Sequence, residues 1–149
     1  MLDNVKKITK QEEALKIVRV ALNDVEDAFR DVHAKKLHIQ GNIPNHKLIN
    51  AKKGMGISEP VSDILCLYDA CVIFSPGDTG FAIVPKGIYI RGEGKEAMFF
   101  RWNDIDAVRL SLGSLKINNY CGPTIWATQD EKFVPAIRSL VWAGARKSL

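Results

Sequence analysis

Three short apolar runs, separated by glycine and proline turns, constrain the fold more than any other feature of the chain. They lie together in residues 77–104. Each run is rich in β-branched and aromatic residues, which favour strands, while glycine and proline supply the backbone conformations that tight turns require. Alternating runs and turns of this kind predict an antiparallel meander. The runs are residues 81–84, 88–91 and 97–102, and the turns are residues 85–87 and 92–96.

Further strand-like segments lie on both sides of this meander. Residues 65–74 are apolar enough for one or two buried strands, interrupted near Asp69. Residues 107–112 alternate apolar and polar side chains, as a half-buried strand does. Residues 115–117 are predicted to form the partner strand, after a turn at Gly113 and Ser114. We interpret residues 118–123 as a loop and residues 124–127 as the last strand. The chain therefore holds about seven short strands.

The N-terminal segment has the pattern of an amphipathic helix over residues 10–34, here named the helical arm. Thr9 and Glu12 form a capping box, in which each side chain accepts a hydrogen bond from the backbone N–H of the other. Apolar residues then recur at spacings of three and four, which places them on one stripe. The stripe lasts about three heptads, the minimum for a coiled coil. Its members are Leu15, Val18, Leu22, Val25, Phe29 and Val32.

The sequence leaves two uses of this stripe open. One is packing on the strands of the same chain, and the other is pairing with a second copy or another protein.

Two shorter helices are predicted farther along the chain. One begins at Pro44, which is favoured in a first helical turn because its missing N–H would be unpaired there, and ends near Lys53. Another turn of helix follows through Ile64, with Ser58 as its cap.

Near the C-terminus, residues 128–131 form a second capping box. Apolar residues at helical spacing follow this box: Phe133, Ile137, Leu140 and Val141.

A set of specific letters, distinct from the periodicity, marks residues 43–105. Tyr68-Asp69 is followed by Phe74-Ser75 and Gly80-Phe81, and the strings PKGIY and FRWNDI come after them. In this order the segment resembles a bacterial pleckstrin-homology-like family. Ala70-Cys71 and residues 76–79 depart from the family pattern. The resemblance implies a scaffold with an interaction role and specifies no substrate.

The resemblance and the strand pattern lead to one expected fold class. We expect an α+β protein with a pleckstrin-homology-like small antiparallel β-barrel or sandwich of about seven strands. A C-terminal helix would close it, and an N-terminal helical arm would precede it. We divide the chain into residues 1–60, which hold the arm and a connector, and residues 61–149, which hold the strands and the last helix.

Composition favours a soluble protein of the cytoplasm. The chain has 149 residues, of which 46% are hydrophobic and 26% are charged. Its apolar runs stay well below the ~20 residues that span a bilayer, and the N-terminus has no signal-peptide pattern. Cys66, Cys71 and Cys121 form no C-x-x-C pair and fit reduced thiols better than a disulfide framework.

Positive charge is concentrated in residues 32–58, here named the lysine-rich connector. This segment has five lysines, three histidines and no acidic residue. Such a segment can attract phosphate or anionic lipid headgroups, or it can be a solvated linker. The candidate anion-binding residues are Lys35, Lys36, Lys47, Lys52 and Lys53.

Catalytic and cofactor motifs are weak throughout the sequence. Asp78-Thr79-Gly80 matches the triplet of aspartic proteases but lies in a predicted turn and occurs once. Residues 92–97 match a loose dinucleotide fingerprint but precede a strand instead of a helix. The three histidines lack zinc-site spacing, and Cys121 has no recognisable base beside it. We therefore expect no enzymatic activity, no metal and no cofactor.

The expected function is non-catalytic binding, as an adaptor of the pleckstrin-homology-like type. Its partner would be a protein or a second copy of the chain, and we do not expect nucleic acid as a ligand. Trp142 lies off the apolar face of the last helix, beside arginines, as interface tryptophans often do. The expected contact residues are Leu15, Val18, Leu22, Val25, Phe29 and Trp142.

Overall fold

The computed structural model describes residues 37–70, 78–111 and 113–124, together with residues 20, 135, 138 and 139. Eight strands and one α-helix occur in these ranges, with single turns of 3-10 helix at Val61–Asp63 and Trp102–Asp104. The elements in chain order are β1 (Leu37–Ile39), α1 (Asn45–Gly54), β2 (Cys66–Asp69), β3 (Gly80–Val84), β4 (Gly87–Arg91), β5 (Met98–Arg101), β6 (Val108–Ser111), β7 (Ser114–Ile117) and β8 (Tyr120–Thr124).

The strands form two antiparallel sheets. The first contains β1 to β5 in chain order, and the second contains β6, β7 and β8 in chain order. The predicted α+β class is therefore confirmed. In the part of the chain that the structure describes, the sheets remain separate and do not close into a barrel.

A hydrophobic core fills the space between the two sheets. Successive side chains of a strand point to opposite faces, so alternate residues of the five-stranded sheet face the second sheet. The rings of Tyr68 and Phe81 stack there with centroids 5.3 Å apart. Other buried members of this core are Ile83, Ile88, Ile90 and Trp102 from the first part of the fold and Val108, Leu115 and Ile117 from the second sheet.

Helix α1 covers the opposite face of the five-stranded sheet. Ala51 and Met55 pack there against the residues that alternate with those of the first core, among them Leu67, Ala82 and Tyr89. Both faces of this sheet are thus covered, by α1 on one side and by the three-stranded sheet on the other. The described residues form three layers.

The predicted helix at residues 44–53 is confirmed with its bounds shifted by one residue. Pro44 stands at the N-cap, and the helix ends in a Schellman-type turn. Gly56 has a left-handed φ of +64°, and the N–H of Ile57 returns to the carbonyl of Lys52 at 3.0 Å. The predicted cap at Ser58 is wrong, because the next helical turn begins after Pro60 and has no side-chain cap.

The three central strands are confirmed as β3, β4 and β5, but two other assignments are wrong. Residues 37–39, expected in a connector, form β1 because they pair with β2, with Leu37 opposite Tyr68. Residues 120–124, mostly expected in a loop, form β8. Gly122 and Pro123 suggested a loop, yet an edge strand with irregular register tolerates both.

The hairpin between β6 and β7 also differs from its prediction. Its connection was expected at Gly113 and Ser114, whereas Ser111 pairs with Ser114 and places Ser114 inside β7. Gly113 has a φ of +82°, which favours glycine. The shift of one position changes which side chains stand opposite each other across the hairpin.

Asn118 organises the turn between β7 and β8. Its φ of +53° is left-handed, a conformation that asparagine tolerates better than most residues. Its Oδ1 accepts from the N–H groups of Asp106 and Ala107 at 2.8 and 3.1 Å, and its Nδ2 donates to the carbonyl of Asp104 at 2.9 Å. One side chain thus fastens the loop before β6 to the β7–β8 turn.

Replacing Asn118 with alanine should lower the free energy of unfolding by about 2 kcal/mol, because three hydrogen bonds are lost and the left-handed backbone is strained. Asn118→Gly is the matched control, since it relieves the backbone strain but still loses the side-chain bonds. Urea denaturation of both variants measures the two contributions. Equal stability of wild type and Asn118→Ala would contradict the assigned role.

Several predictions lie outside the described residues. These are most of the helical arm, most of the C-terminal helix and Trp142. The described residues of the two predicted helices, Val20, Pro135, Arg138 and Ser139, are in helical conformation. Although β1 and α1 precede residue 60, they share the sheet and cores of the strands that follow it. No helix among the described residues is long and apolar enough to cross a membrane.

Candidate functional site

Three of the lysines predicted to bind anions lie on α1, so this helix is the first place to look for a site. Lys47, Lys52 and Lys53 have different surroundings there. Lys35 and Lys36 lie outside the described residues.

Lys47 faces the sheet and neutralises a buried carboxylate. Strand alternation places His38 and Asp69 on the α1 side of the five-stranded sheet. The Nζ atom of Lys47 lies 3.0 Å from Oδ2 of Asp69 and 3.0 Å from Nε2 of His38. The Lys47 side chain is 15% exposed and that of Asp69 is 5% exposed. The ammonium group of Lys47 thus neutralises a buried charge of its own chain.

Lys52 holds the loop that follows α1. Its Nζ atom donates to the carbonyl oxygens of Ile57 and Glu59 at 3.0 and 2.7 Å. Two of its N–H donors are therefore used by backbone carbonyls of the same chain. Lys52 is also near the C-terminal end of α1, where a positive charge interacts favourably with the helix dipole.

Lys53 is exposed and lies at an open pocket of about 260 Å³. Asn50, Gly54 and Asp78 line the same pocket. Oδ2 of Asp78 is 3.9 Å from Nη1 of Arg91, and that guanidinium also donates to the carbonyl of Gly54 at 3.0 Å. The pocket therefore presents one ammonium group beside a carboxylate that has a cationic neighbour.

The end of α1 and the start of β3 approach so closely that a side chain would not fit between them. A Cβ atom at Gly54 would lie 2.5 Å from Cβ of Asp78, which is too short for any real contact. A residue with a side chain at position 54 would therefore require Asp78 to move.

A small hydroxyl and carboxylate cluster lies beyond the C-terminal end of α1. The hydroxyl of Tyr89 donates to Oε1 of Glu59 at 3.3 Å and accepts from the N–H of Ser58 at 3.3 Å. Oε2 of Glu59 is buried and has no hydrogen-bond partner in the described part of the chain. The ring of Tyr89 packs on Phe99 with centroids 4.4 Å apart, so the cluster fixes the loop on the sheet.

The weak catalytic motifs have structural roles. Asp78 and Thr79 form a bend that leads into β3, and residues 92–96 form the turn between β4 and β5. Cys66 is buried, and Cys121 is half-buried in β8, not in the expected loop. Within residues 37–70, 78–111 and 113–124, no group of three His, Cys, Asp or Glu side chains could hold a metal ion.

The sequence predicted the lysines of α1 but missed their partners. Asp69 was interpreted as an interruption between strands and as part of the family resemblance, and His38 was placed in a connector. Both meet Lys47 because β1 pairs with β2. Strand β1 has only three residues, too few to show the alternating pattern by which a strand is predicted from sequence.

The chain was compared with models of protein families, with curated proteins and with solved structures, and none of these comparisons found a match.

Proposed function

We propose that the protein is a non-catalytic binding module of the adaptor type, which engages a protein partner or a second copy through the helical arm. The contact residues of this proposal are Leu15, Val18, Leu22, Val25 and Phe29, with Trp142 as a further candidate. The resemblance of residues 43–105 to the pleckstrin-homology-like family is consistent with such a role.

One observation carries the proposal. Most of both faces of the five-stranded sheet is already covered, by α1 and by the three-stranded sheet, although Met98 in the edge strand β5 is 44% exposed. An apolar stripe must be buried against some surface to be stable, and the faces of this sheet are not free to receive it. A partner or a second copy supplies such a surface.

The chemistry of the described residues points in the same direction. Lys47, Lys52 and Asp69 are bound within the chain, so they support the fold and are not presented to a substrate. The use of these three charged groups within the fold suits a binding module better than a catalyst.

Anion binding by the lysine-rich connector is the alternative that the sequence raised. It has less support, because Lys47 and Lys52 are held by the chain itself and Lys53 alone of the three on α1 is exposed. Sedimentation with vesicles of anionic lipid over a range of salt tests it, since electrostatic binding must weaken as salt rises. An absence of binding at low salt would exclude it.

Replacing Leu22 with glutamate should abolish assembly through the helical arm, because a carboxylate in the middle of a buried apolar stripe is unfavourable by several kcal/mol. Sedimentation equilibrium or light scattering across protein concentration measures the mass of the assembly. Where the partner is another protein, co-purification replaces the mass measurement.

Val20→Glu is the matched control for this experiment. Val20 lies off the stripe, is helical and is 61% exposed, so the same change there should leave assembly intact. A wild-type monomer that captures no partner, with a Leu22→Glu variant that only lowers the melting temperature, would mean that the stripe packs on its own chain.

A further inference from the structure

The outer face of the three-stranded sheet carries two positive charges directly opposite each other. Arg109 in β6 pairs with Lys116 in β7. Their neighbours Val108, Leu115 and Ile117 are buried in the core between the sheets, so strand alternation directs Arg109 and Lys116 outward. Like charges in this position repel and destabilise a hairpin. An anionic group bound between the two cations would relieve this repulsion.

No described carboxylate compensates this pair. The ion pairs within residues 37–70, 78–111 and 113–124 are Lys47–Asp69 and Arg91–Asp78. Neither involves the second sheet.

A row of hydroxyl groups stands beside the two cations. Ser111 pairs with Ser114, and Ser114 pairs with Thr124 in β8, so the three side chains share the outer face. Ser111 and Ser114 lie two positions along their strands from Arg109 and Lys116, a distance of about 7 Å. Together the two rows offer many hydrogen-bond donors and no carboxylate.

A third positive charge lies at the edge of this sheet. Nε and Nη2 of Arg138 donate to the carbonyl of Val108 at 3.2 and 3.0 Å. The guanidinium of Arg138 is therefore fixed beside the residue that precedes Arg109, which strengthens the positive potential of the face.

From this arrangement we infer that the outer face of the three-stranded sheet binds an acidic peptide segment of a partner protein. In an extended peptide, side chains on one side recur about every 7 Å. When one carboxylate lies between Arg109 and Lys116, the next carboxylate on the same side reaches Ser111 and Ser114. A guanidinium also binds carboxylates with two parallel hydrogen bonds.

Other anionic partners fit this face less well. Recognition of anionic lipid headgroups uses clusters of about four to eight basic residues, whereas this face has two and its edge has a third. Proteins that bind single-stranded nucleic acid stack its bases on aromatic side chains, and the outward-facing residues named above include none. The residues of this face differ from those of the helical-arm stripe, so this inference does not depend on the proposed function.

The test uses a fluorescein-labelled peptide in which glutamate alternates with serine, titrated with the full chain and followed by fluorescence anisotropy. Lys116→Glu should weaken binding by about tenfold or more, because one cation is replaced by a repelling charge. The same change should raise the melting temperature by about 2 °C, since cross-strand repulsion becomes attraction. A variant that binds less and yet melts higher is the expected signature.

Lys86→Glu is the matched control, since Lys86 is exposed in the turn between β3 and β4 and the change in net charge is identical. It should leave the affinity for the peptide unchanged. Arg109→Gln provides a second variant, with weaker binding expected, in case Lys116→Glu does not fold. If Lys86→Glu and Lys116→Glu lowered the affinity for the peptide equally, the effect would come from net charge alone and the inference would be overturned. A wild-type chain that ignores the peptide, or one that prefers oligouridine or anionic vesicles through the same residues, would also overturn it.

Discussion

Replacing Trp102 with alanine should lower the free energy of unfolding by about 3–5 kcal/mol, the range found when a buried aromatic side chain is truncated. Trp102 is 2% exposed and belongs to the core between the two sheets. Its Nε1 donates to the carbonyl of Pro85 at 2.8 Å. It lies in the turn that leads from β5 toward the second sheet, so its removal loosens the contact between the sheets. Guanidinium chloride denaturation, followed by circular dichroism, measures the loss.

Two further variants separate packing from hydrogen bonding at this position. Trp102→Phe keeps most of the packing but leaves the carbonyl of Pro85 without its donor, and should cost about 1–3 kcal/mol. Asn103→Ala, at the exposed neighbouring position, should change stability by less than about 0.5 kcal/mol. If Trp102→Ala were no more harmful than Asn103→Ala, the tryptophan would not be buried between the sheets in solution.

Breaking the ion pair between Lys47 and Asp69 should have an effect of similar size. Lys47→Met leaves the buried carboxylate of Asp69 without its cation, which should cost about 3–5 kcal/mol. Asp69→Leu should cost a similar amount, because it leaves the ammonium group largely buried without its counter-charge. Lys53→Met is the control on the same helix, where the lysine is exposed and little change is expected. The same denaturation experiment compares all three variants.

The double variant Lys47→Met/Asp69→Leu tests whether the two residues act as a pair. Because an apolar pair of similar volume often replaces a buried ion pair without loss, the double change should cost less than either single change. Additive losses would mean that each residue contributes through other contacts. This cycle also decides the role of Lys47, since a lysine kept for anion binding would tolerate the loss of Asp69.

The two proposed binding surfaces are the helical arm and the outer face of the three-stranded sheet. Trp102 packs in the core between the two sheets, and the Lys47–Asp69 pair joins α1 to the first sheet. The helical arm and the outer face of the three-stranded sheet lie on different parts of the chain and have different chemistry, one apolar and one cationic. Leu22→Glu and Lys116→Glu therefore test them independently.

Part of the candidate site was predictable from the sequence, and part was not. The density of lysines on α1 was visible at once, as was the helix that carries them. Whether a lysine faces solvent or a buried carboxylate depends on which strand packs beneath it. Lys47 and Asp69 are far apart in the chain and meet only because α1 lies across β2. Composition therefore suggested an anion-binding site, whereas the charge of Lys47 is paired with a carboxylate of the same chain.

The opposed charges of the second sheet escaped sequence reasoning for a different reason. The hairpin itself was predicted, but with its turn at Gly113 and Ser114. That register would place Lys116 opposite Ser111 instead of Arg109. The observed pairing of Ser111 with Ser114 moves the connection by one position and brings the two cations together. Moving the connection by one position changes the partner of Lys116 by two residues, from Ser111 to Arg109, and keeps the apolar residues on the same face.

By itself the sequence determined the parts of this protein that depend on local patterns. The central strands β3, β4 and β5 follow from short β-branched and aromatic runs between turns, and α1 follows from Pro44 at its start and the glycines after it. Tertiary structure alone decided β1, β8, the choice of two separate sheets over a closed barrel, and the partners of the charged side chains. Each of these depends on pairing or burial between residues distant in the chain, whose free energy local propensity does not contain.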